Sequence, residues 1–156
     1  MSSSTTVDQP SDLLPLVGQK LGESEWLVVT QDDVNQFAQA THDEQWIHVD
    51  IERAKAGPFG TTIAHGFLTL SLLVPLAKDV VKVTKVGMGV NYGLNKVRFP
   101  APVPVGSRVR LTVVLNEATE LPGGGVQVVY GCTVEREGGD KPVLVAEWVT
   151  RQFPAS

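Results

Sequence analysis

The sequence predicts an α+β fold in which one antiparallel sheet wraps around a long buried helix. The longest apolar segment, from His65 to about Val81, leaves hardly any polar face, and a helix that is apolar nearly all round is a buried one. After Gly87 the chain consists of Val-rich segments separated by short turns, which predict consecutive strands that pair antiparallel. A short strand and two short helices come first, so we expect a single α+β domain.

The composition excludes several classes of protein. The chain has 156 residues, 42% of them hydrophobic and 19% charged, which fits one domain with a packed core. Its net charge of −4 argues against a nucleic-acid partner bound through a general basic surface. Phe67 to Ala77, the most apolar stretch, is too short to span a membrane. The single Cys132 and a start without a basic region followed by an apolar one indicate a cytoplasmic protein.

The beginning of the chain is predicted to contribute little to the fold. Residues 1–16 are polar at first and then carry two prolines, which indicates a loose lead-in. The domain itself is expected to occupy residues 17–156. Its first element is a short strand over Glu23 to Val29, where apolar residues alternate with other residues.

Helix-capping residues locate the two short helices. Thr30 is a suitable N-cap because an acidic residue follows three positions later, and its helix is expected to reach about Thr41. Asp50 is expected to cap a second helix, Ile51 to Ala56. His42 to Val49, which lies between the two helices, shows no clean period and is predicted to be a loop.

The rest of the chain is predicted to form the long helix and five strands. Pro75 lies inside the helix and predicts a kink or the loss of one backbone hydrogen bond. Turn residues, among them many of the 15 glycines and 10 prolines, separate the strands that follow. The predicted strands are Val86 to Tyr92, Leu94 to Phe99, Arg108 to Thr119, Val126 to Glu135 and Val143 to Phe153.

Asp43 and His48 form the main candidate catalytic pair. The sequence has three histidines, and His48 shares the predicted loop with Asp43. A carboxylate and an imidazole can hold one water between them, as acid–base addition of water to a double bond requires. Both residues also fit structural roles, Asp43 as a turn or cap and His48 as a partly buried histidine bonded to the backbone. Neither Cys-x-x-Cys nor His-Glu-x-x-His spacing is present, so we expect no metal.

A second candidate lies at the start of the long helix, at His65 and Gly66. The first N–H groups of a helix have no partner within it, and the helix dipole favours negative charge there. Glycine lets a ligand approach the backbone closely. The Gly66 N–H could therefore polarise a carbonyl oxygen on which negative charge develops. Tight packing of the helix against the sheet would explain this glycine equally well.

Two segments of the chain resemble a known family. The stretch Asp43 to Asp50 (DEQWIHVD), followed by Gly57 to Gly60 and Ile63 to Leu70, is similar to the hydratase motif of the MaoC-like family. The later block, Asn91 to Val103, is similar to that family's strand pair. The resemblance covers about residues 17–152 and is strongest to the family's short single-domain actinobacterial dehydratases and to the nodulation protein N group.

The resemblance implies a fold and a function. The family comprises (R)-specific enoyl-CoA hydratases and 3-hydroxyacyl-thioester dehydratases of fatty-acid metabolism, with a hot-dog fold and homodimers joined sheet edge to sheet edge. Asp43 and His48 match its catalytic pair, and Gly66 matches the residue whose N–H binds the thioester carbonyl. The substrate would be an acyl thioester of coenzyme A or of an acyl carrier protein, and we expect no cofactor. The remaining expected substrate contacts are Ile63, Ala64, His65, Tyr92 and Gly93.

The chain departs from the family pattern at three positions. Gln45 stands where asparagine is usual, Trp46 replaces the common proline, and Val74 occupies a position where some members carry a serine. These changes alter the polar support of the catalytic pair, and hence the rate and the substrate range.

Two other functions are compatible with the same predicted fold. A hot-dog thioesterase would need a carboxylate near the helix start, whereas the polar residues here precede the helix. A non-catalytic acyl-thioester-binding subunit is the other alternative.

The stretch from Lys78 to Arg110 has seven basic residues and one acid. This excess of positive charge fits a solvated face, a site for coenzyme A phosphates or contact with an acidic carrier protein. The candidate contacts are Lys96, Arg98, Arg108 and Arg110, and Arg98 fits a structural tie between strands equally well.

Overall fold

Most of the strands belong to one antiparallel sheet in the structure, a computed structural model that describes residues 2–156. The strands are β1 (Thr5–Val7), β2 (Lys20–Glu23), β3 (Leu27–Val28), β4 (Val81–Val83), β5 (Val86–Arg98), β6 (Arg108–Glu120), β7 (Val126–Arg136) and β8 (Leu144–Pro154). The sheet has the order β2–β6–β7–β8–β5, and β3 also pairs with β6. The remaining two strands, β1 and β4, pair with each other in parallel.

The α-helices lie between β3 and β4, and their predicted caps are confirmed. The Thr30 hydroxyl accepts the Asp33 N–H at 3.1 Å, and the Asp33 carboxylate accepts the Thr30 N–H at 3.1 Å. The Asp50 side chain accepts the Arg53 N–H at 3.0 Å. The helices are α1 (Gln31–Thr41), α2 (Trp46–Val49), α3 (Ile51–Lys55), α4 (Gly66–Ser71) and α5 (Leu73–Ala77), with short 3-10 helices at Pro10–Leu16 and Pro122–Gly124.

The N-terminal segment packs on the core, so the predicted loose lead-in over residues 1–16 is wrong. Leu13, in the first 3-10 helix, is fully buried. The Thr5 hydroxyl donates to the Leu21 carbonyl oxygen at 2.6 Å, and β1 pairs with β4 far along the chain. Pairing between distant segments leaves no local pattern in a short polar stretch, which is why the sequence did not indicate it.

The long apolar helix is divided into α4 and α5 at Leu72. Pro75 has no N–H to donate to the Ser71 carbonyl, and its ring crowds that carbonyl, so the break one turn before the proline is the predicted kink. Phe67 and Val74 are 71% and 42% exposed. The expectation that this helix is buried all round is therefore wrong for the single chain, since one apolar side is open.

Three other boundaries differ from the predicted ones. The strand expected over Glu23 to Val29 is two strands, β2 and β3, both paired with β6. The two strands expected over Val86 to Phe99 are one strand, β5, whose register against β8 shifts between Asn91 and Gly93. A bulge lets a strand change register without ending, so Gly93 marks an irregularity within one strand rather than a turn between two strands. The predicted loop before Asp50 contains the single turn of α2.

The last strand in the sheet order, β5, is exposed along nearly its whole length. Its alternate positions carry large apolar side chains that are between 38% and 58% exposed. A long apolar edge strand is a template for pairing with another chain. The exposed side chains on β5, named here the β5 surface, are Val86, Met88, Val90, Tyr92 and Leu94.

No helix among residues 2–156 is both long and apolar enough to cross a membrane.

Candidate active site

Asp43, His48 and His65 converge between the end of α1 and the start of α4. His42 ends α1 in the left-handed conformation, with a φ of 63°, so the chain changes direction immediately before Asp43. His48 lies in α2, and His65 immediately precedes α4. Ligand atoms of the three side chains all lie within 4.8 Å of one another. The structure thus places the predicted pair beside one predicted substrate-contacting residue.

The ring of His48 is buried and has one nitrogen committed to the backbone. Nδ1 lies 2.7 Å from the Ile63 carbonyl oxygen. A carbonyl oxygen only accepts hydrogen bonds, so Nδ1 donates and the lone pair is on Nε2. Burial is the main cause that lowers the pKa of His48 below 6.5; nearby His65 lowers it further, and the Ile63 carbonyl and Asp43 oppose the shift. Near neutral pH, His48 is therefore a neutral imidazole that can take a proton at Nε2.

Asp43 presents an exposed carboxylate on a backbone that is held in place. Its carbonyl oxygen accepts a hydrogen bond from His65 Nε2 at 2.9 Å. The side chain itself is exposed, whereas the neighbouring His48 is only 6% exposed. A water bound by both groups would lie at the boundary between solvent and the protein interior, where it can be replaced from solvent.

His65 is packed against two other rings. It is 2% exposed and stacks on His48, with 3.8 Å between ring centroids and an angle of 25° between planes. The Phe37 ring centroid lies 4.9 Å away. Stacked rings direct their lone pairs along nearly parallel planes, so the two histidines are poorly arranged to share one ion with Asp43. The absence of a metal site stays a prediction.

Gly66 is the first residue of α4, where a backbone N–H has no acceptor within the helix. A Cβ at this position would lie 3.2 Å from the Phe99 ring, so the glycine also permits close packing. Both interpretations of Gly66 therefore fit the structure. Because α4 has only six residues, a direct hydrogen bond matters more for a bound oxyanion than the dipole of a long helix. Gly66 and Phe99 line a cavity of about 360 Å³.

The other predicted substrate contacts divide into two groups. The carbonyl of Ile63 accepts a hydrogen bond from the His48 ring, and the Ala64 N–H donates to the Val103 carbonyl at 2.8 Å, so both backbone groups are used by the fold. Tyr92 and Gly93 lie on β5 and line a separate cavity of about 290 Å³. Among the described residues, the lining of that cavity does not include the candidate pair Asp43 and His48.

Gln31, which the sequence did not indicate, fixes the backbone of the candidate catalytic histidine. It begins α1, and its Nε2 donates to the His48 carbonyl oxygen at 2.8 Å. Its Oε1 accepts the Thr62 hydroxyl at 2.6 Å. One amide thus joins three segments of the site. A glutamine in the first turn of a helix is ordinary, and its partners lie 17 and 31 residues away, so no local pattern reveals this role.

The departures from the family pattern have identifiable neighbours. Trp46 occupies space that Gly57 leaves open, because a Cβ on Gly57 would come within 2.9 Å of the indole ring. The Gln45 carbonyl accepts the His48 N–H at 3.0 Å. Val74 lines two cavities beside β5. The first two differences therefore concern the segment around the candidate pair Asp43 and His48, and the third concerns the cavities beside β5.

Two members of the basic stretch tie strands together. Arg110 lies 3.3 Å from Glu23 on β2 and forms a second ion pair with a glutamate on β7. Arg108 forms an ion pair at 2.9 Å with a glutamate just beyond β7. These charges are balanced by neighbouring carboxylates, which disfavours a role in binding phosphate. Lys96 and Arg98 stay as the candidates for that role.

Known proteins share the sequence of this chain over most of its length. A family model described as MaoC like domain matches residues 12–135. The 3-hydroxyacyl-thioester dehydratase Z of Mycobacterium tuberculosis is 56% identical over 146 residues, which cover 94% of this chain and 97% of that protein. Nodulation protein N of Rhizobium leguminosarum is 48% identical over 142 residues, which cover 90% of this chain and 88% of that protein.

Solved structures share the fold. An R-hydratase from Pseudomonas aeruginosa, in its unliganded form, matches with a TM-score of 0.69 and 26% identity, over 90% of this chain and 83% of that chain. The α+β fold with an antiparallel sheet around a central helical segment is therefore the hot-dog fold, as predicted.

Proposed function

Since the chain belongs to the MaoC-like family of hydratases and dehydratases, we propose that it catalyses the reversible hydration of trans-2-enoyl thioesters to (R)-3-hydroxyacyl thioesters. The arrangement of His48 carries this proposal: Nδ1 donates to Ile63, and the ring lies in one cluster with the Asp43 carboxylate. A neutral imidazole beside a carboxylate suits general acid–base catalysis near neutral pH. The activities named for relatives, a 3-hydroxyacyl-thioester dehydratase and an R-hydratase, support the substrate class.

In the proposed hydration, one water is bound between Asp43 and His48. His48 Nε2 removes a proton from the water while the water oxygen forms a bond to C3 of the substrate. The electron pair of the double bond shifts toward the thioester, and the Gly66 N–H donates to the oxygen that gains negative charge. The catalytic pair then returns one proton to C2, so the net change is the addition of one water.

We place the acyl chain of the substrate along α4 and α5. Two open and mostly apolar cavities, of about 430 and 290 Å³, lie between these helices and the β5–β8 side of the sheet. Val74 lines both cavities, so it lies where they meet. Apolar clefts of this size suit an alkyl chain.

The proposed partners are acyl thioesters of coenzyme A or of an acyl carrier protein. Lys96 and Arg98 near the end of β5 are the candidates to meet phosphate or an acidic carrier surface. The proposed reaction needs no cofactor. We place it in the cytoplasm, a reducing compartment in which the buried Cys132 stays a thiol.

We propose that the active form is a homodimer joined through the β5 surface. In the sheet order, β5 has a neighbouring strand on one side only, so its outer edge exposes backbone N–H and C=O groups. Phe67 adds exposed apolar area on α4. Because Val86, Val90, Tyr92 and Leu94 also line the two proposed acyl cavities, the second copy would cover the open side of those cavities. Pairing with a second copy would satisfy the edge and remove this area from water.

The two alternative functions have less support. A hot-dog thioesterase would need a carboxylate near the helix start, but within the described residues the first turn of α4 carries no acid. A non-catalytic binding subunit has no use for a buried neutral imidazole beside an exposed carboxylate, which is the arrangement of His48 and Asp43. The hydratase function accounts for both observations.

Product analysis with crotonyl-CoA and longer enoyl-CoA substrates tests the proposed function. We expect the conjugated enoyl absorbance to disappear without release of free thiol. The product should be oxidised by an (R)-specific, but not by an (S)-specific, 3-hydroxyacyl-CoA dehydrogenase. Stoichiometric release of coenzyme A would instead indicate a thioesterase, and binding without turnover at every chain length would indicate a binding subunit. An (S) product would contradict the proposed stereochemistry.

A further inference from the structure

We propose that His65 is a positioning residue for the catalytic pair, because its ring stacks on His48 while its Nε2–H holds the backbone of Asp43. The role deepens, and rests on, the hydration function proposed above. His65 also immediately precedes Gly66 in the chain. One residue thus connects the proton acceptor, the carboxylate and the proposed oxyanion donor.

The His65 ring has little freedom to move. It is 2% exposed, with the His48 centroid 3.8 Å away and the Phe37 centroid 4.9 Å away. In a close-packed interior a ring held by its neighbours also limits where those neighbours can lie. The plane of the His48 ring is therefore set by His65 as well as by the hydrogen bond to Ile63.

The hydrogen bond to Asp43 acts on the second member of the pair. His65 Nε2 lies 2.9 Å from the Asp43 carbonyl oxygen, and because that oxygen only accepts, Nε2 carries the hydrogen. Asp43 follows His42, which ends α1 in the left-handed conformation, and its side chain is exposed. The bond from His65 fixes the backbone from which this exposed carboxylate projects.

The choice of histidine at this position carries a cost for folding. With the hydrogen on Nε2, Nδ1 is a buried acceptor that has no hydrogen-bond partner among residues 2–156. An unpaired buried acceptor destabilises the folded state. Phenylalanine would avoid that cost and keep the stack on His48, but it would lose the bond to Asp43. A role in holding both partners therefore explains His65 better than packing alone does.

Two substitutions separate the two contacts. His65→Phe keeps an aromatic face for His48 and removes the donor to Asp43, whereas His65→Gln keeps a donor and removes the ring. In each variant we expect kcat for enoyl-CoA hydration to fall by about 10²-fold, since small misplacements of reacting groups have effects of this size. KM should change by less than about threefold. Circular dichroism confirms that each variant is folded before kinetics are compared.

An NMR titration tests the contact without an activity assay. The sequence has three histidines, so the ring signals of a histidine-labelled protein can be assigned by single replacements. The titratable groups that act on His48 are His65 and Asp43, and His65 lowers the pKa of His48. In His65→Phe we expect the midpoint of the His48 titration to move to higher pH. The acid limb of the pH profile of kcat, where kcat falls as His48 is protonated, should move with it. The control His42→Asn, at an exposed left-handed position that asparagine tolerates, should leave that midpoint in place.

The outcomes separate this proposal from the proposed function. An unchanged His48 midpoint in folded His65→Phe, or a kcat close to wild type in both variants, would overturn the positioning role. A purely structural role would lower stability without moving the midpoint or the acid limb. If the wild-type protein fails to hydrate enoyl-CoA while the midpoint still moves, the contact between His65 and His48 is supported and the proposed function is wrong.

Discussion

At the scale of single residues, two hydrogen bonds decide what the imidazole of His48 can do. The Ile63 carbonyl selects the tautomer with a lone pair on Nε2. The Gln31 amide holds the His48 backbone carbonyl and, through its oxygen, the Thr62 hydroxyl. Groups that orient a reacting side chain without touching substrate keep it in the geometry that the reaction needs.

Replacing Gln31 by leucine tests this support. The His48 carbonyl and the Thr62 hydroxyl would each lose a partner, so we expect the free energy of unfolding to fall by about 1–2 kcal/mol. Gln36→Leu on the same helix is the matched control, because the hydrogen bond of Gln36 to Asp32 is exposed. The control should change stability by less than about 0.5 kcal/mol. Urea unfolding measures both variants, and equal losses would contradict the role assigned to Gln31.

The composition of the candidate site was only partly predictable from the sequence. Asp43 and His48 lie close together in the chain, so their proximity follows from local structure. Gln31 lies 17 residues from His48, and His65 contacts His48 by stacking rather than through a motif spacing. The Ala64 N–H donates to the Val103 carbonyl across the fold, a contact that the sequence did not indicate, and the expected contact of Ala64 with substrate stays a prediction. Contacts between distant segments depend on the assembled core and leave no mark in a local pattern.

At the scale of elements, local signals located the helices and missed the N-terminal segment. Thr30 and Asp50 cap the helices that begin next to them, and Pro75 interrupts the helix one turn before its own position. Each of these residues has the predicted effect in the structure. Leu13 is buried, and its 3-10 helix packs against β6 and β8, which come much later in the chain. Local chemistry therefore determines where a helix or strand begins and ends, whereas the burial of a residue depends on the distant element that packs against it.

The junction of α4 and α5 gives a prediction about acyl-chain length. Val74→Phe would place a larger side chain where the two apolar cavities meet. We expect the ratio of kcat/KM for dodecenoyl-CoA to that for crotonyl-CoA to fall by about tenfold or more, since a lost apolar pocket discriminates to this degree. Val28→Phe, at an exposed position on β3, is the control and should leave the ratio unchanged. An unchanged ratio in Val74→Phe would contradict the placement of the acyl chain.

At the scale of the whole molecule, β5 is an end strand of the sheet whose apolar side chains are exposed in the single chain. The pairing of β6 with β7 and of β7 with β8 was predictable because these strands follow one another along the chain. The pairing of β5 with β8 instead of β6 was not predictable, and neither was the open side of the helices and of β5. An apolar segment has the same sequence pattern whether its own chain or a second copy covers it. The exposed β5 surface is therefore visible only in the folded chain.

The β5 surface predicts the oligomeric state. We expect light scattering to give the mass of two chains for the wild type and of one chain for Val90→Glu, which introduces a charge into the proposed interface. Val17→Glu is a matched control, because Val17 is 45% exposed and Val90 is 39% exposed, and Val17 lies outside the surface. A monomeric wild type, or a dimer that persists in Val90→Glu, would contradict this assignment of the interface.

The most direct test of the central claim, that Asp43 and His48 activate a water for addition to an enoyl thioester, is the rate of crotonyl-CoA hydration in matched variants. Asp43→Asn and His48→Gln nearly preserve shape while removing the acid–base groups. We expect each to lose on the order of 10²–10⁴ in kcat, with the fold intact by circular dichroism. A folded His48→Gln or Asp43→Asn protein that hydrates crotonyl-CoA at nearly the wild-type rate would contradict the account.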